Sequence, residues 1–115
     1  MARREVIAVA RNVRGSCQKV RRIIDVVRGK TVDEALAILK FLPSPHAAKV
    51  AKVVKSAAAN AENNFQMDPA LLRIVRASAD AGPTFRRMRA RARGRANIIH
   101  KRTSHISVVV AEEET

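Results

Sequence analysis

Apolar positions change their spacing along the chain, and each spacing predicts an element. Residues 5–13 (EVIAVARNV) are short and rich in β-branched side chains, which predicts a first strand, flanked by Arg3, Arg4, Arg11 and Arg14. Over residues 16–29 the spacing shifts to i, i+3, i+4, i+7: Val20, Ile23, Ile24 and Val27 make one helical stripe. Ser16 stands where a helix cap belongs, and Gly29 where the chain leaves in the left-handed conformation. Lys19 and Arg22, and less closely Arg21 and Arg28, fall off the stripe.

Thr31-Val32-Asp33-Glu34 is a capping box, Thr31 the cap and Glu34 its partner three residues on. The helix behind it buries Ala35, Leu36, Leu39 and Leu42, and Pro43 stops it. Ser44-Pro45 restarts the pattern, serine as cap and proline at the first helical position. A third helix follows at about residues 46–62, with Val50, Val53, Val54, Ala57, Ala58 and Ala61 on its buried stripe and Lys49, Lys52 and Lys55 along the remaining surface. Asn60, Asn63 and Asn64 mark its fraying end, and Met67-Asp68-Pro69 the turn out. Residues 70–80 predict a second strand, Leu72 and Ile74 on one face and Arg73, Val75, Ala77 and Ala79 on the other. A returning strand spans residues 98–111 and ends in Ile106-Ser107-Val108-Val109-Val110.

These elements specify an α+β fold: three helices packed on a small three-stranded antiparallel sheet, with one long protruding β-hairpin. No second domain or internal repeat is visible, so residues 1–115 form a single domain and 82–105 an extended basic hairpin arm within it. Arms of about 11 residues, at roughly 3.3 Å each, reach on the order of 35 Å beyond the core. Gly82-Pro83 bends the arm where it leaves the sheet.

Charge changes the picture most. The net charge is +13, and it is uneven. Residues 1–80 carry +8, residues 81–111 carry another +8 with no Asp or Glu, and Glu112, Glu113 and Glu114 return −3. Between Arg86 and Arg95, arginine alternates with Met88, Ala90, Ala92 and Gly94. Such a stretch has little to bury and repels itself, so it needs a polyanion to hold it. Arg87, Arg89, Arg91, Arg93 and Arg95 share one parity; while the arm stays extended they present a row of planar donor forks suited to phosphates and base faces. The small residues between them keep the ribbon thin enough for RNA to close on both sides. A disordered basic tail is the bland alternative, but tails do not return to the fold as residues 98–111 do. With Arg11, Arg14, Lys19, Arg21, Arg22, Arg28, Lys30 and Arg76 on the domain, the row makes the set of candidate phosphate contacts.

Other chemistry is poorly supported. There is no Trp or Tyr and only Phe41, Phe65 and Phe85, too few aromatics for a base-stacking module. His46, His100 and His105 are scattered, and the acids have no paired-carboxylate context; the sequence predicts no enzyme, cofactor or metal. The lone Cys17 suits a reducing compartment and packs on the first helix. Neither a signal peptide nor a transmembrane run is present, which predicts a cytoplasmic protein with no membrane association. Two rival readings share the charge: an architectural protein gripping the minor groove of DNA with basic β-arms, and a cationic membrane-surface peptide. The first often places a proline or bulky wedge at its tip, where this chain has Ala90, Ala92 and Gly94. The second needs an amphipathic helix, and the arginine run alternates at strand period.

The sequence also resembles a family. Lys101-Arg102-Thr103-Ser104-His105-Ile106 with Val108-Val109-Val110, and Arg91-Ala92-Arg93-Gly94-Arg95-Ala96, are similar to segments of large-ribosomal-subunit protein twenty-two in its bacterial form. Gly82-Pro83-Thr84, SAAANAENN from Ser56 to Asn64, Val27-Arg28-Gly29-Lys30 and Ala35-Leu36 extend the resemblance over nearly the whole chain. It departs from the usual pattern at Cys17, Ala81 and Ala90. The resemblance implies binding to large-subunit ribosomal RNA, contacts with neighbouring ribosomal proteins, and a part in subunit assembly. It implies a globular part at the outer surface near the polypeptide exit and a hairpin lining the exit tunnel. Residues 86–95 would form the tip, beside the nascent polypeptide in transit and the region where macrolides bind, with no small-molecule substrate. Lys101, Arg102, Thr103, Ser104 and His105 would help fix the hairpin root to RNA.

Overall fold

The computed structural model describes residues 5–90 and 96–112, with side chains over 5–84 and 101–112. The chain runs β1 (Glu5–Arg14), α1 (Cys17–Val27), α2 (Val32–Phe41), α3 (Pro45–Phe65), a 3-10 turn at Pro69–Leu71, β2 (Leu72–Ala81), β3 (Phe85–Ala90), β4 (Ala96–Lys101) and β5 (Thr103–Glu112). β1, β5 and β2 form an antiparallel sheet in that order, so the last strand lies in the middle. The three helices cover one face of it. Val6 and Ala8 of β1, Leu72 and Ile74 of β2 and Ile106, Val108 and Val110 of β5 meet Val20, Ile24 and Val27 of α1 and Val50, Val54 and Ala57 of α3 in one core. The three-helix, three-strand α+β fold expected from the pattern is the one observed.

Local signals act where they were read. The Thr31 hydroxyl accepts from the Glu34 N–H at 3.3 Å, and Ser44 accepts from His46 N–H with Pro45 in the first turn. Gly29 has φ +82°, which turns the chain so that its N–H donates to the Ile74 carbonyl. Ser16, by contrast, makes no side-chain cap bond. The start of α1 is held by Gly15 instead, whose N–H donates to Arg102 O and whose carbonyl accepts from the Ser104 hydroxyl. The asparagines do not fray α3, which continues to Phe65 and ends on Gln66 in the left-handed region, its N–H donating to Glu62 O. The second strand starts at Leu72 because Asp68 and Pro69 first wind a 3-10 turn, with the Asp68 carboxylate accepting from Ala70 N–H.

The faces of β2 also differ from strict alternation. Leu72 and Ile74 are buried, and so are Ala77 and Ala79, which lie on the opposite parity. The register explains this: Ile74 pairs with Val110 and Arg76 with Val109, so Val75 is an extra residue. A bulge of one residue reverses the faces beyond it. β1 carries a second irregularity between Ala10 and Val13, where Asn12 adopts φ +57°.

β3 and β4 form a separate two-stranded antiparallel sheet, from Phe85 opposite Lys101 to Ala90 opposite Ala96. They continue β2 and β5 beyond residues 82–84 and Arg102. The expected single returning strand is thus two strands, separated at Arg102. The Cα trace measures 66 × 25 × 19 Å, consistent with a compact domain and a ribbon extending from it.

Where α3 starts, His46 packs on Gly15: a Cβ there would lie 2.7 Å from the imidazole Cε1. Burial first, then the charges of Lys49 and Lys19, hold the His46 pKa below its ordinary 6.5. The unfolded chain therefore takes this proton before the folded one does, and stability falls as pH drops below that value. Urea denaturation at about pH 7 and about pH 5 should show a smaller loss on acidification for His46→Gln than for the parent chain; equal losses would refute the assignment. A second expectation concerns the bulge. Deleting Val75 turns part of the buried set to solvent and should cost on the order of 4 kcal/mol or more, whereas Val75→Ala should cost about 1 kcal/mol or less, both read from urea midpoints.

Candidate nucleic-acid interface

Where the ribbon leaves the sheet, four segments converge: the end of β1, the start of α1, the end of β2 and the start of β5. Gly82 N–H donates to Thr103 O at 2.9 Å, and the Thr103 hydroxyl donates to Pro83 O at 2.6 Å. The Ser104 hydroxyl donates to Gly15 O at 2.7 Å, and Asn12 N–H donates to Nδ1 of His105 at 3.2 Å. Thr103 is 4% exposed and Ser104 is fully buried. These three sequence candidates therefore bond within the chain and set the angle at which the ribbon departs. Gly82 is required by close approach, since a Cβ would fall 2.6 Å from the Thr103 hydroxyl oxygen.

The cations lie around this root. Arg14 pairs with Thr103 across the ladder, and its carbonyl accepts from Lys49 Nζ at 2.6 Å. Lys19 and Lys49 both lie close enough to act on His46. Arg102, whose carbonyl holds Gly15, also borders a polar cleft of about 440 Å³ lined by Ser16, Gln18, Gly82 and Thr84. Arg11, Arg14, Lys19, Arg22, Lys101 and Arg102 are exposed. Among the described residues Asp80 is the acid at this end, opposite His105 in the ladder; farther along α1, Asp25 is paired with Arg28 at 2.9 Å, and at the far end of β1 Glu5 is paired with Arg76.

Other candidates have structural duties. Arg21 donates Nε–H to Ala79 O at 2.8 Å, and Arg28 donates to Ala77 O at 2.9 Å as well as to Asp25. Each satisfies a carbonyl on the outer edge of β2. A guanidinium has five donors, so both exposed side chains retain hydrogen-bonding capacity for an anion. Lys30 is half-buried beside the same edge, where its carbonyl accepts from Ile74 N–H. This stitching was invisible as a pattern in the chain, because it depends on α1 lying beside β2.

The backbone places Arg86, Arg87, Met88, Arg89 and Ala90 in β3, with Arg87 opposite Ile99 and Arg89 opposite Asn97. Arg91, Ala92, Arg93, Gly94 and Arg95 lie outside the described residues. Among the described residues, no group of three His, Cys, Asp or Glu could hold a metal ion, and no helix is long and apolar enough to cross a membrane. His46 starts α3 and His105 lies in β5, each packed into its own seam.

The family model described as ribosomal protein L22p/L17e matches residues 8–111. A protein of Pelotomaculum thermopropionicum named large ribosomal subunit protein uL22 is 54% identical over 110 residues, covering 96% of this chain and 97% of that one. Its namesake in Heliobacterium modesticaldum is 55% identical over 106 residues, covering 92% of this chain and 76% of that one. The chain belongs to the ribosomal protein L22p/L17e family, whose members are structural proteins and not enzymes.

Proposed function

We propose that this chain is a structural constituent of the large ribosomal subunit in the bacterial cytoplasm, and that it binds large-subunit ribosomal RNA. The observation that carries the reading is the cationic root: exposed basic side chains on β1, α1 and the β4–β5 junction surround the point where an acid-free ribbon leaves the sheet. Phosphates supply the counter-charge that the fold lacks. The sequence likeness to two large-subunit proteins supports the same partner.

The geometry of the root supports one division of labour, and the family resemblance supports the place of the arm. Arg11, Arg14, Lys19, Arg22, Lys101 and Arg102 hold RNA around the root, Arg21, Arg28 and Arg76 add donors left over from their internal bonds, and Lys30 adds its ammonium. Thr103, Ser104 and His105 serve the same end indirectly, by fixing the angle of the ribbon. The arm, residues 82–105, runs inward and lines the nascent polypeptide exit tunnel, with residues 86–95 at the tip near the nascent chain and the macrolide region. The globular part sits toward the outer surface against RNA and neighbouring ribosomal proteins and supports subunit assembly.

Sedimentation of a lysate tests the partner: the protein should travel with large subunits and remain after a high-salt wash, and sedimentation with the nucleoid would favour a DNA-binding arm instead. Replacing Arg91, Arg93 and Arg95 by Gln should weaken RNA binding and flatten its salt slope by up to about three phosphate contacts; an unchanged slope would remove the arm from the affinity. Gly82→Ala should cost on the order of 1–3 kcal/mol in urea denaturation by displacing the Thr103 hydroxyl. Adding Thr103→Ala to it should cost less than the sum of the two single changes, because the clash and the displaced hydroxyl are the same group.

A further inference from the structure

The two outer strands of the sheet each have an edge facing away from β5, and the chain treats them differently. The β2 edge is covered. Thr31 bridges to Arg73, Gly29 and Lys30 exchange backbone bonds with Ile74, and then Arg28 and Arg21 close the carbonyls of Ala77 and Ala79. Along β1, residues 5–10 pair with β5 alone among the described residues; only farther on does Lys49 reach the Arg14 carbonyl. An uncovered edge is a template for another strand.

The surroundings of this edge select what would dock there. Between β1 and α3 runs a groove of about 300 Å³, floored by Ala8, Ala10, Val13 and Val53 and bordered by Lys49 and Lys52. Alanines at alternate positions of β1 leave hollows at strand spacing. On the opposite face of the sheet Ile7 is 57% exposed and Val9 46%, so an added strand would meet apolar side chains on both of its faces. RNA gains little from such a surface, which offers two lysines above an apolar floor. A second copy of the chain would set two domains of net charge +13 against each other. An extended segment with apolar residues for the hollows and carboxylates for the lysines meets neither obstacle.

We infer that residues 5–10 of β1 accept, as a fourth strand, an extended segment of another protein in which apolar and acidic residues alternate. Backbone pairing supplies most of the affinity, and Lys49 and Lys52 select the acidic partner. The groove runs toward the root, where Lys49 also bonds to the Arg14 carbonyl, but the strand pairing uses residues 5–10 and does not require RNA at the root.

Two synthetic decapeptides test it on the full chain: one alternating valine with glutamate, the other with the same glutamates but proline at alternate valine positions. The first should slow amide exchange within residues 5–10, shift the resonances of Lys52 and Val53, and bind about tenfold or more tightly than the second. Lys52→Glu, a change at an exposed position, should weaken that binding by about tenfold. Equal binding of the two peptides would overturn strand addition, leaving only attraction to a cationic protein. Protection on the arm or root instead of β1, or self-association of the chain through β1 without peptide, would overturn it as well.

Discussion

Pairing of β5 on both sides is the constraint on which the rest of the structure depends. Ile106, Val108 and Val110 fill the centre of the core, while their backbone joins β1 on one side and β2 on the other. The same strand begins with Thr103 and Ser104, whose hydroxyls bond to Pro83 and Gly15. The apolar interior and the root of the ribbon are therefore set by one segment. Because buried hydroxyls without partners are costly, this end of β5 is fixed as firmly as its apolar end.

Around that strand the charges fall into two uses. Arg21, Arg28 and Lys49 bond to backbone carbonyls and close gaps between elements. Arg11, Lys19, Arg22, Lys101 and Arg102 are exposed near the root, where the fold provides few acids to neutralise them. A surface of this kind is stable in the presence of a polyanion and self-repelling without one. Family membership and electrostatics are separate grounds for the proposed RNA partner.

Much of the fold was legible because its signals are local. The Thr31 box and the Ser44-Pro45 start each depend on residues within a few positions, and helical stripes depend on spacing alone. The failures share a cause. Alternation along β2 could not show that Val75 is an extra residue, since the bulge exists only relative to β5. Ser16 looked like a cap, but the turn before α1 is held by residues near position 103. Of the interface, the basic residues were visible as charge. Their division between stitching and exposure was not, nor was the burial of Thr103 and Ser104, which the resemblance implied would help fix the root to RNA. A pair of hydroxyl residues between Lys101-Arg102 and an apolar strand was the available sign that they are buried.

The central position of β5 has a further consequence during synthesis. β1 is made first, yet its partner in the sheet lies roughly a hundred residues later, and β2 must wait for the same segment. No strand of the three-stranded sheet can pair in the native register until residues 103–112 have left the ribosome that makes them. The helices can form early, but their apolar stripes lack a sheet to cover them, and the basic arm precedes the strand that completes its root. A newly made copy therefore passes through a stage in which exposed core and unneutralised charge coexist, and the interval ends only when the last strand enters between the first two.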